Sequence, residues 1–155
     1  MDTIGTIHSP YKSIDGMPIQ PKGAEKVVGH VLLDKQYAAG LRDLEGFSHI
    51  YLLYQFHRVT RTELLVTPFM DTEERGVFAT RSPLRPNHIG ISIVRLQRVE
   101  GNKIFIEGVD VLDGTPLLDI KPYIEKFDAV KKSCSGWLQA SEADICSKRS
   151  DSRFK

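Results

Sequence analysis

Positive charge is concentrated in one proline-stiffened segment of this 155-residue chain. Residues 75–98 contain five arginines and no acidic residue, although the net charge of the whole chain is only +1. Guanidinium groups fit the geometry of phosphate, and a bound polyanion relieves their mutual repulsion. Pro83 and Pro86 restrict the backbone around Arg85 and Asn87, which lowers the entropy cost of presenting both side chains. We therefore expect Arg85 to bind a nucleotide phosphate and Asn87 to contact a base edge.

The same arginines have a purely structural alternative. Ion pairs with Glu73, Glu74 or Glu107 would neutralise them within the protein, and charge alone does not choose between the two interpretations. Because the net charge is close to zero, any polyanion has to be bound by a local patch rather than by the field of the whole protein.

A second polar loop lies near the N-terminus. In residues 17–22, Pro18 and Pro21 hold Gln20 in a stiff, extended presentation. A rigid surface loop is the simpler interpretation of this segment when it is taken alone.

A third loop, over residues 110–123, brings carboxylates and a tight turn together. Its Asp-Gly and Thr-Pro pairs mark the turn, and Asp113 has the alternative of a turn residue that bonds its own backbone. The three aspartates do not have the spacing of a calcium loop, and the histidines do not have the spacing of a zinc site. We therefore expect no metal site.

The segments that must position these loops are mostly short β-strands. Alternating or continuous apolar, β-branched and aromatic residues predict strands over residues 3–7, 27–33, 50–56, 64–69, 77–80, 91–99 and 104–111. Asp34 is placed to cap one short helix that ends at Gly46. The strand over residues 50–56 is almost continuously apolar, so we expect it to be central and covered on both faces.

Turn signals complete the prediction of the fold. Gly101-Asn102 predicts a hairpin, and Gly108, where the apolar alternation changes phase, predicts a β-bulge. Closely spaced strands with one or two short helices favour a mostly β (α+β) fold with an antiparallel, barrel-like sheet. The sequence has no glycine-rich loop of the Walker or Rossmann type and no nucleophile elbow. A nucleotide-like cofactor would therefore bind outside a Rossmann framework.

Composition bounds the class of protein. With 41% hydrophobic and 26% charged residues, the chain is typical of a soluble globular protein. We expect one domain over residues 1–132 and a polar C-terminal tail over 133–155, either a weakly packed helix or mobile. No membrane span or signal peptide is predicted, which indicates a cytoplasmic protein. Cys134 and Cys146 are expected to be reduced, with a disulfide between them as the alternative.

Five blocks of the sequence, in order and in register, carry a resemblance to a known family: IGTIHSP (4–10), LEGFSH (44–49), GVFATRSPLRPNHIG (76–90), LDGTP (112–116) and DIKPY (119–123). They resemble the TsaA-like family, whose characterised members are tRNA (adenine-N6)-methyltransferases. The resemblance implies a non-Rossmann β-barrel, a homodimer, S-adenosylmethionine as methyl donor, and N6-threonylcarbamoyladenosine beside the tRNA anticodon as substrate. Bacterial members have an additional C-terminal domain, so this chain looks like a single-domain archaeal form, and its mode of tRNA capture stays open.

The resemblance also implies which residues contact the cofactor. They are Gln20, Pro21, Lys22, His57, Arg58, Arg81, Ile93, Leu112, Asp113, Gly114 and Thr115. The turn over residues 112–115 should close the pocket, and its backbone groups are placed to read the adenine edge or the amino-acid end. Arg81 is placed to meet the cofactor carboxylate.

Methyl transfer from a sulfonium to nitrogen is an in-line displacement whose leaving group belongs to the cofactor. Positioning alone can supply about 7–11 kcal/mol, so we expect no covalent nucleophile and no essential cysteine. The accepting nitrogen must lose a proton, and Asp110 and Tyr123 are the candidate catalytic residues, with Asp113 as a further option. Lys121 is placed to pair with the threonylcarbamoyl carboxylate.

Two other classes of function stay open at this point. A non-catalytic RNA-binding β-barrel would use the arginines but leave the Gln20-Pro21 and Asp113-Gly114-Thr115 motifs unexplained. A structural dimer, paired through its apolar strands, would leave the arginine-rich segment without a role.

Overall fold

Six strands close into a barrel in the computed structural model, which describes residues 1–151 and 153. In barrel order they are β1 (Gly5–His8), β2 (Val28–Leu33), β7 (Lys103–Glu107), β6 (Ile89–Glu100), β3 (His49–Gln55) and β8 (Thr115–Pro122). All neighbouring strands are antiparallel. A separate two-stranded sheet consists of β4 (Leu65–Val66) and β5 (Arg75–Gly76). The predicted mostly β fold with an antiparallel barrel is confirmed.

Alternation along the strands fills the barrel. The side chains that meet inside it are Ile7, Val31, Leu33, Ile50, Leu52, Tyr54, Val94, Leu96, Ile104, Ile106 and Leu117. The prediction that the strand over residues 50–56 is covered on both faces is wrong. In β3 only every second residue is buried, while His49, Tyr51 and Leu53 are half-buried on the outside, because a barrel packs one face of each strand.

The helices are short. They are the 3₁₀ helices Pro21–Ala24, Lys35–Leu41, Leu44–Gly46 and Val77–Ala79, and the α-helices α1 (Glu125–Asp128) and α2 (Glu142–Ser147). The single helix predicted between Asp34 and Gly46 is divided in two, because Asp43 takes a left-handed φ of 66° between its halves and a left-handed residue cannot continue a right-handed helix.

The predicted hairpin at Gly101-Asn102 is confirmed, since it joins β6 to β7 and Gly101 has a φ of 62°. The bulge predicted at Gly108 is confirmed. Directly after β7, Gly108 has a φ of 88°, and the amides of Gly108 and Val109 both donate to the Val27 carbonyl, at 2.9 and 3.4 Å, so that two residues oppose one. A second register shift lies on β6, between Leu96 and Arg98.

Two further strand predictions fail at the segments that build the loops, and one barrel strand was missed. The strand over 64–69 shrinks to β4, and residues 77–79 form a 3₁₀ helix rather than a strand. The barrel strand β8 was not predicted, because Pro116, Asp119 and Pro122 are typical of loops. In the barrel, Pro122 ends the strand opposite Ile50, and Pro116 lies opposite Thr6.

A small second core supports the loops between β3 and β6. Val66, Val77 and Leu84 are buried together, with Val59 and Phe69 packed against them. This cluster holds residues 57–88 at one end of the barrel, where β3 ends and β6 begins.

The C-terminal segment folds back on the loop before the 3₁₀ helix Pro21–Ala24. Ser150 exchanges backbone hydrogen bonds with Gly16 (3.0 Å) and Met17 (2.8 Å), and Lys22 pairs with Glu142 at 2.6 Å. Helix α2 has a capping box between Ser141 and Asp144. Residues 133–151 are thus in contact with a loop that the sequence analysis assigns to the cofactor.

The two cysteines, Cys134 and Cys146, are free thiols. Within residues 1–151 and 153, no helix combines the length and the apolar character needed to cross a bilayer.

Candidate functional site

A cavity of about 870 Å³ opens at the end of the barrel where β3 ends and β6 begins. Its wall is made by parts of five segments that are far apart in sequence: residues 14–22, 54–59, 68–70, 78–93 and 110–115, with residues of the C-terminal segment 135–150 as a sixth. A concave, mostly apolar pocket of this size with a few polar groups is typical of a small-molecule site.

Gln20 and Arg81 meet at this cavity. The Arg81 guanidinium donates to the Gln20 side-chain oxygen at 3.0 Å, across 61 positions of sequence. Gln20 is held in extended backbone (φ −150°, ψ 155°) directly before Pro21, which starts a 3₁₀ helix. Since a guanidinium has five N–H donors, Arg81 can hold Gln20 and still offer donors to an anion.

Arg85 also borders the cavity, but its guanidinium is used inside the protein. It donates to the carbonyl oxygens of Ser82 (3.1 Å), Thr80 (2.7 Å) and Val77 (3.3 Å). Arg85 therefore braces the turn that carries Arg81. These bonds to carbonyl oxygens are neither the phosphate contact expected for Arg85 nor its alternative, an ion pair with an acidic residue.

The alternative of internal ion pairs holds for another arginine of this segment. Arg75 pairs with Asp71 at 2.7 Å and with Glu73 at 2.9 Å. Their hydrogen bonds keep the pKa of Asp71 below its usual value and that of Arg75 above it. The arginines of residues 75–98 therefore do not act as one free basic patch.

Asp110 lies at the inner wall of the cavity and ends a chain of hydroxyl groups. The Ser92 hydroxyl donates to Asp110 Oδ1 at 2.6 Å, and the Tyr54 hydroxyl lies 3.0 Å from Ser92 Oγ. Burial raises the pKa of Asp110 to about 6, against the opposing effects of the Ser92 hydrogen bond and the Arg81 charge. Burial likewise raises the pKa of Tyr54, which therefore stays protonated. An aspartate of this kind in a cavity is a candidate proton acceptor.

The turn over residues 112–115 presents only part of itself to the cavity. Leu112 and Thr115 line it, and Gly114 adopts a φ of 78° that allows the turn. The backbone amides of Asp113, Gly114 and Thr115 donate to carbonyls of the protein itself. These three donors are therefore used within the protein, and the expectation that backbone groups of residues 112–115 read a substrate stays a prediction.

Asp113 turns away from the cavity toward β1. Its carboxylate accepts from the Ser9 amide (3.1 Å) and pairs with Lys12 (2.5 Å) and His8 (3.2 Å). The Lys12 hydrogen bond is the main reason that the pKa of Asp113 falls to about 2. Asp113 thus ties the β8 turn to the end of β1, rather than bonding its own backbone.

The other residues implied by the resemblance all line the cavity: Pro21, Lys22, His57, Arg58 and Ile93. Burial, together with the neighbouring Arg58 guanidinium, lowers the pKa of His57.

Besides Asp113 and Gly114, three residues predicted as catalytic or substrate-binding lie elsewhere in the single chain. Tyr123 packs against His49 and Tyr51 at the beginning of β3, whereas Tyr54 reaches the cavity near its end, about 17 Å along the strand at ~3.3 Å per residue. Lys121, on the strand that pairs with Tyr51, forms an ion pair with Asp119 at 3.2 Å. Asn87 is exposed and does not line the cavity.

Among the residues that the sequence analysis did not single out, Tyr54, Phe78 and Trp137 line the cavity, and Ser92 lies behind its wall. Tyr54 and Ser92 occupy inward positions of strands, where a tyrosine and a serine stand out among aliphatic side chains. Phe78 is 78% exposed at the rim. Trp137, the one tryptophan of the sequence, lines the cavity from the polar tail. In each case the signal was a residue type out of keeping with its surroundings.

A closed antiparallel barrel with a ligand-sized cavity at one end defines a class of β-barrel proteins that bind small molecules without a Rossmann sheet. Residues 6–129 match the family described as the tRNA-methyltransferase O N-terminal domain. The chain belongs to that family, and the resemblance to TsaA-like proteins is confirmed.

Known relatives differ in length and in description. A probable S-adenosyl-L-methionine-binding protein of Pyrococcus abyssi is 50% identical over 151 residues, which cover 97% of this chain and 82% of that protein. A human tRNA (adenine(37)-N6)-methyltransferase is 34% identical over 137 residues, which cover 83% of this chain and 31% of that protein.

Solved structures show the same barrel. A crystal structure of TrmO has a TM-score of 0.75 and 39% identity, and TrmO from Pseudomonas aeruginosa has a TM-score of 0.73 and 38% identity. They cover 89% and 87% of this chain, respectively. The chain spans about 60% of the length of these solved proteins.

Proposed function

We propose that this protein transfers a methyl group from S-adenosylmethionine to the N6 nitrogen of an adenosine in tRNA. The observation that carries the proposal is the convergence of Gln20, Arg81, Asp110 and Leu112 on one cavity. Membership of the family and the names of the relatives support the methyl donor and the tRNA substrate.

The cavity residues fit the methyl donor. Ile93 and Leu112 give apolar walls for an adenosine and a thioether chain, and Arg81 offers guanidinium donors for a carboxylate. When bound, S-adenosylmethionine supplies an electrophilic methyl group on a positively charged sulfur. The chain itself has to bind and orient the methyl donor and the accepting nucleoside and to exclude water. The convergence of distant segments on one cavity serves these roles.

We assign the proton acceptor to Asp110 rather than to Tyr123. Asp110 lies in the cavity wall, whereas Tyr123 lies near the opposite end of β3. A pKa of about 6 leaves the Asp110 carboxylate mostly ionised at neutral pH and still basic enough to accept a proton.

We further propose threonylcarbamoyladenosine beside the anticodon as the substrate nucleoside, as the TsaA-like resemblance implies. The exposed ring of Phe78 offers a stacking surface for an unpaired base, and Arg58 adds a cation at the same rim. A cytosolic location follows from a tRNA substrate.

A homodimer is part of the proposal. Ile91 and Ile93 are 44% and 39% exposed beside the cavity mouth, where a second copy would cover them and complete the site. Lys121, Asn87 and Tyr123 do not reach the cavity of their own chain, and an assembly of two chains is the arrangement in which they could contribute. Sedimentation at micromolar concentration measures the mass directly.

Two measurements on the full chain test the function. Calorimetric titration with S-adenosylmethionine should give micromolar binding, and binding should raise the thermal midpoint as the ligand concentration rises. Digestion and mass spectrometry of tRNA after incubation should then show one added methyl group on a modified adenosine. RNA binding without affinity for S-adenosylmethionine would instead favour the non-catalytic barrel.

A further inference from the structure

We propose that Ser92 and Tyr54 are positioning residues that hold one oxygen of Asp110 and leave its other oxygen to take the proton from the substrate nitrogen. The inference rests on the proposed function, because it concerns the proton that nitrogen loses on methylation. The geometry that carries it is a buried chain of three side chains from β3, β6 and the loop after β7, ending at the cavity wall.

A glycine makes this chain sterically feasible. Tyr54 on β3 lies directly opposite Gly90 on β6. A Cβ atom at position 90 would lie 2.2 Å from Cε2 and 2.6 Å from Cζ of Tyr54, which no real side chain permits. Because Gly90 has no side chain, the Tyr54 ring can lie across β6, and its hydroxyl reaches Ser92 two residues further along.

The hydrogen bonds of the chain run in one direction. Ser92 has one hydroxyl proton and donates it to Asp110 Oδ1. Tyr54 must then be the donor to Ser92 Oγ, and burial keeps its hydroxyl protonated by raising its pKa. All of the donation therefore points at an ionised Asp110, and it engages Oδ1 while Oδ2 stays outside the chain.

The charged and titratable groups facing Asp110 come from three other elements. Arg81 approaches from the turn before β6 and favours the ionised carboxylate. Tyr54 approaches from β3, and Tyr11 from the loop after β1, where Arg149 of the tail partly offsets the effect of Asp110 on the Tyr11 hydroxyl. The neutral donors to the carboxylate are the Ser92 hydroxyl and the backbone amide of Asp110 itself.

The proton transfer balances without another reactant. A bond forms between the nitrogen and the methyl carbon while the bond from that carbon to the sulfonium breaks, and sulfur keeps the electron pair as a neutral thioether. The N–H proton passes to Asp110 Oδ2, and the resulting carboxylic acid later releases it to water. Ser92 and Tyr54 stay chemically unchanged.

The first test measures the pKa of the Asp110 carboxyl group in the ligand-free protein, from the NMR chemical shift of its carboxyl carbon. It does not depend on any activity. Ser92→Ala removes a hydrogen bond to the ionised form and should raise that pKa by about one unit. Tyr54→Phe should raise it less, because Ser92 still donates. Tyr51→Phe, which removes a hydroxyl from the outside of the same strand, should leave it unchanged.

The second test follows kcat against pH for the same variants. The acidic limb of the profile should move to higher pH by the shift measured in the NMR titration, and kcat should recover above it, with KM for tRNA unchanged. An Asp110 pKa that does not respond to Ser92→Ala or to Tyr54→Phe overturns the inference, as does an acidic limb that stays in place while the pKa moves. Absence of methyl transfer in the unmodified protein, with the NMR shifts as expected, is a failure of the proposed function instead.

Discussion

The indole Nε1 of Trp137 donates a hydrogen bond to the carbonyl oxygen of Ala79, 2.8 Å away and 58 positions earlier in the chain. Its ring lies 5.8 Å from the Arg75 guanidinium carbon. Trp137 thereby fixes the polar C-terminal segment to the turn between Phe78 and Arg81. The segment lies beyond the matched family region, which ends at residue 129, and it still forms part of the cavity wall.

Replacing Trp137 should therefore weaken binding of S-adenosylmethionine. Trp137→Ala removes both the ring and the hydrogen bond, and we expect the Kd from calorimetry to rise about 5- to 20-fold, as loss of one hydrogen bond and an aromatic contact predicts. Trp137→Phe keeps an aromatic ring but loses the hydrogen bond, and its Kd should lie between those of the unmodified protein and Trp137→Ala. Phe127→Ala removes a 79%-exposed ring on α1 and serves as the control. Equal Kd values for all four proteins would show that the C-terminal segment does not contribute to binding of S-adenosylmethionine.

Arg81 offers a prediction that depends on the chemistry of the ligand. We expect Arg81→Ala to raise the Kd for S-adenosylmethionine by at least tenfold, because a charge-assisted hydrogen bond to its carboxylate is lost. The Kd for 5′-methylthioadenosine, which has no carboxylate, should change little. Arg42→Ala, at an exposed position after the helix Lys35–Leu41, is the matched control. An equal loss for both ligands would mean that Arg81 shapes the cavity but does not bind a carboxylate.

The barrel was predictable because its strands alternate, and alternation reports directly which face is buried. The strand β8 was not, because Pro116, Asp119 and Pro122 have local preferences for loops. In this fold, pairing with β1 and β3 on both sides overrides those preferences. The 3₁₀ helix Val77–Ala79 shows the reverse case, where β-prone residues are held in a turn by hydrogen bonds to Leu64 and Trp137, both distant in sequence.

The site was predictable only to the level of its segments. Motifs indicated that Gln20 and Arg81 are functional, but their hydrogen bond depends on how two loops pack. Residue type also misled at Asp113, whose partners lie about a hundred positions away. Asp110 faces the cavity, whereas Asp113 faces β1. These side-chain directions are set by the exact course of the chain after β7 and cannot be obtained from composition or spacing.

Arg85 should contribute to stability rather than to affinity for tRNA. Arg85→Ala removes the guanidinium donor from the carbonyls of Ser82 and Thr80, while the Val77 carbonyl keeps the Thr80 amide and hydroxyl. We expect a loss of about 1–3 kcal/mol in the free energy of unfolding, measured with urea. Arg85→Lys should recover little of it, because one ammonium group cannot span the geometry of a guanidinium fork. Unchanged stability together with weaker tRNA binding would restore the phosphate contact expected from the sequence.

The Asp113 carboxylate should make the stability of the protein sensitive to acid. Its pKa is about 2 in the folded protein and 3.8 without those contacts, so folding favours the ionised form. The stabilisation is present in full above the unfolded pKa and is lost as the pH falls from about 4 toward 2. Asp113→Asn should therefore lower the free energy of unfolding by about 1 kcal/mol at pH 7, a value kept small by solvent screening. The difference from the unmodified protein should shrink below pH 4.

Asp119→Asn, which breaks the more exposed pair with Lys121, should have almost no effect at either pH. A destabilisation by Asp113→Asn that is the same at pH 7 and pH 3 would show that the side chain acts through packing and not through its charge.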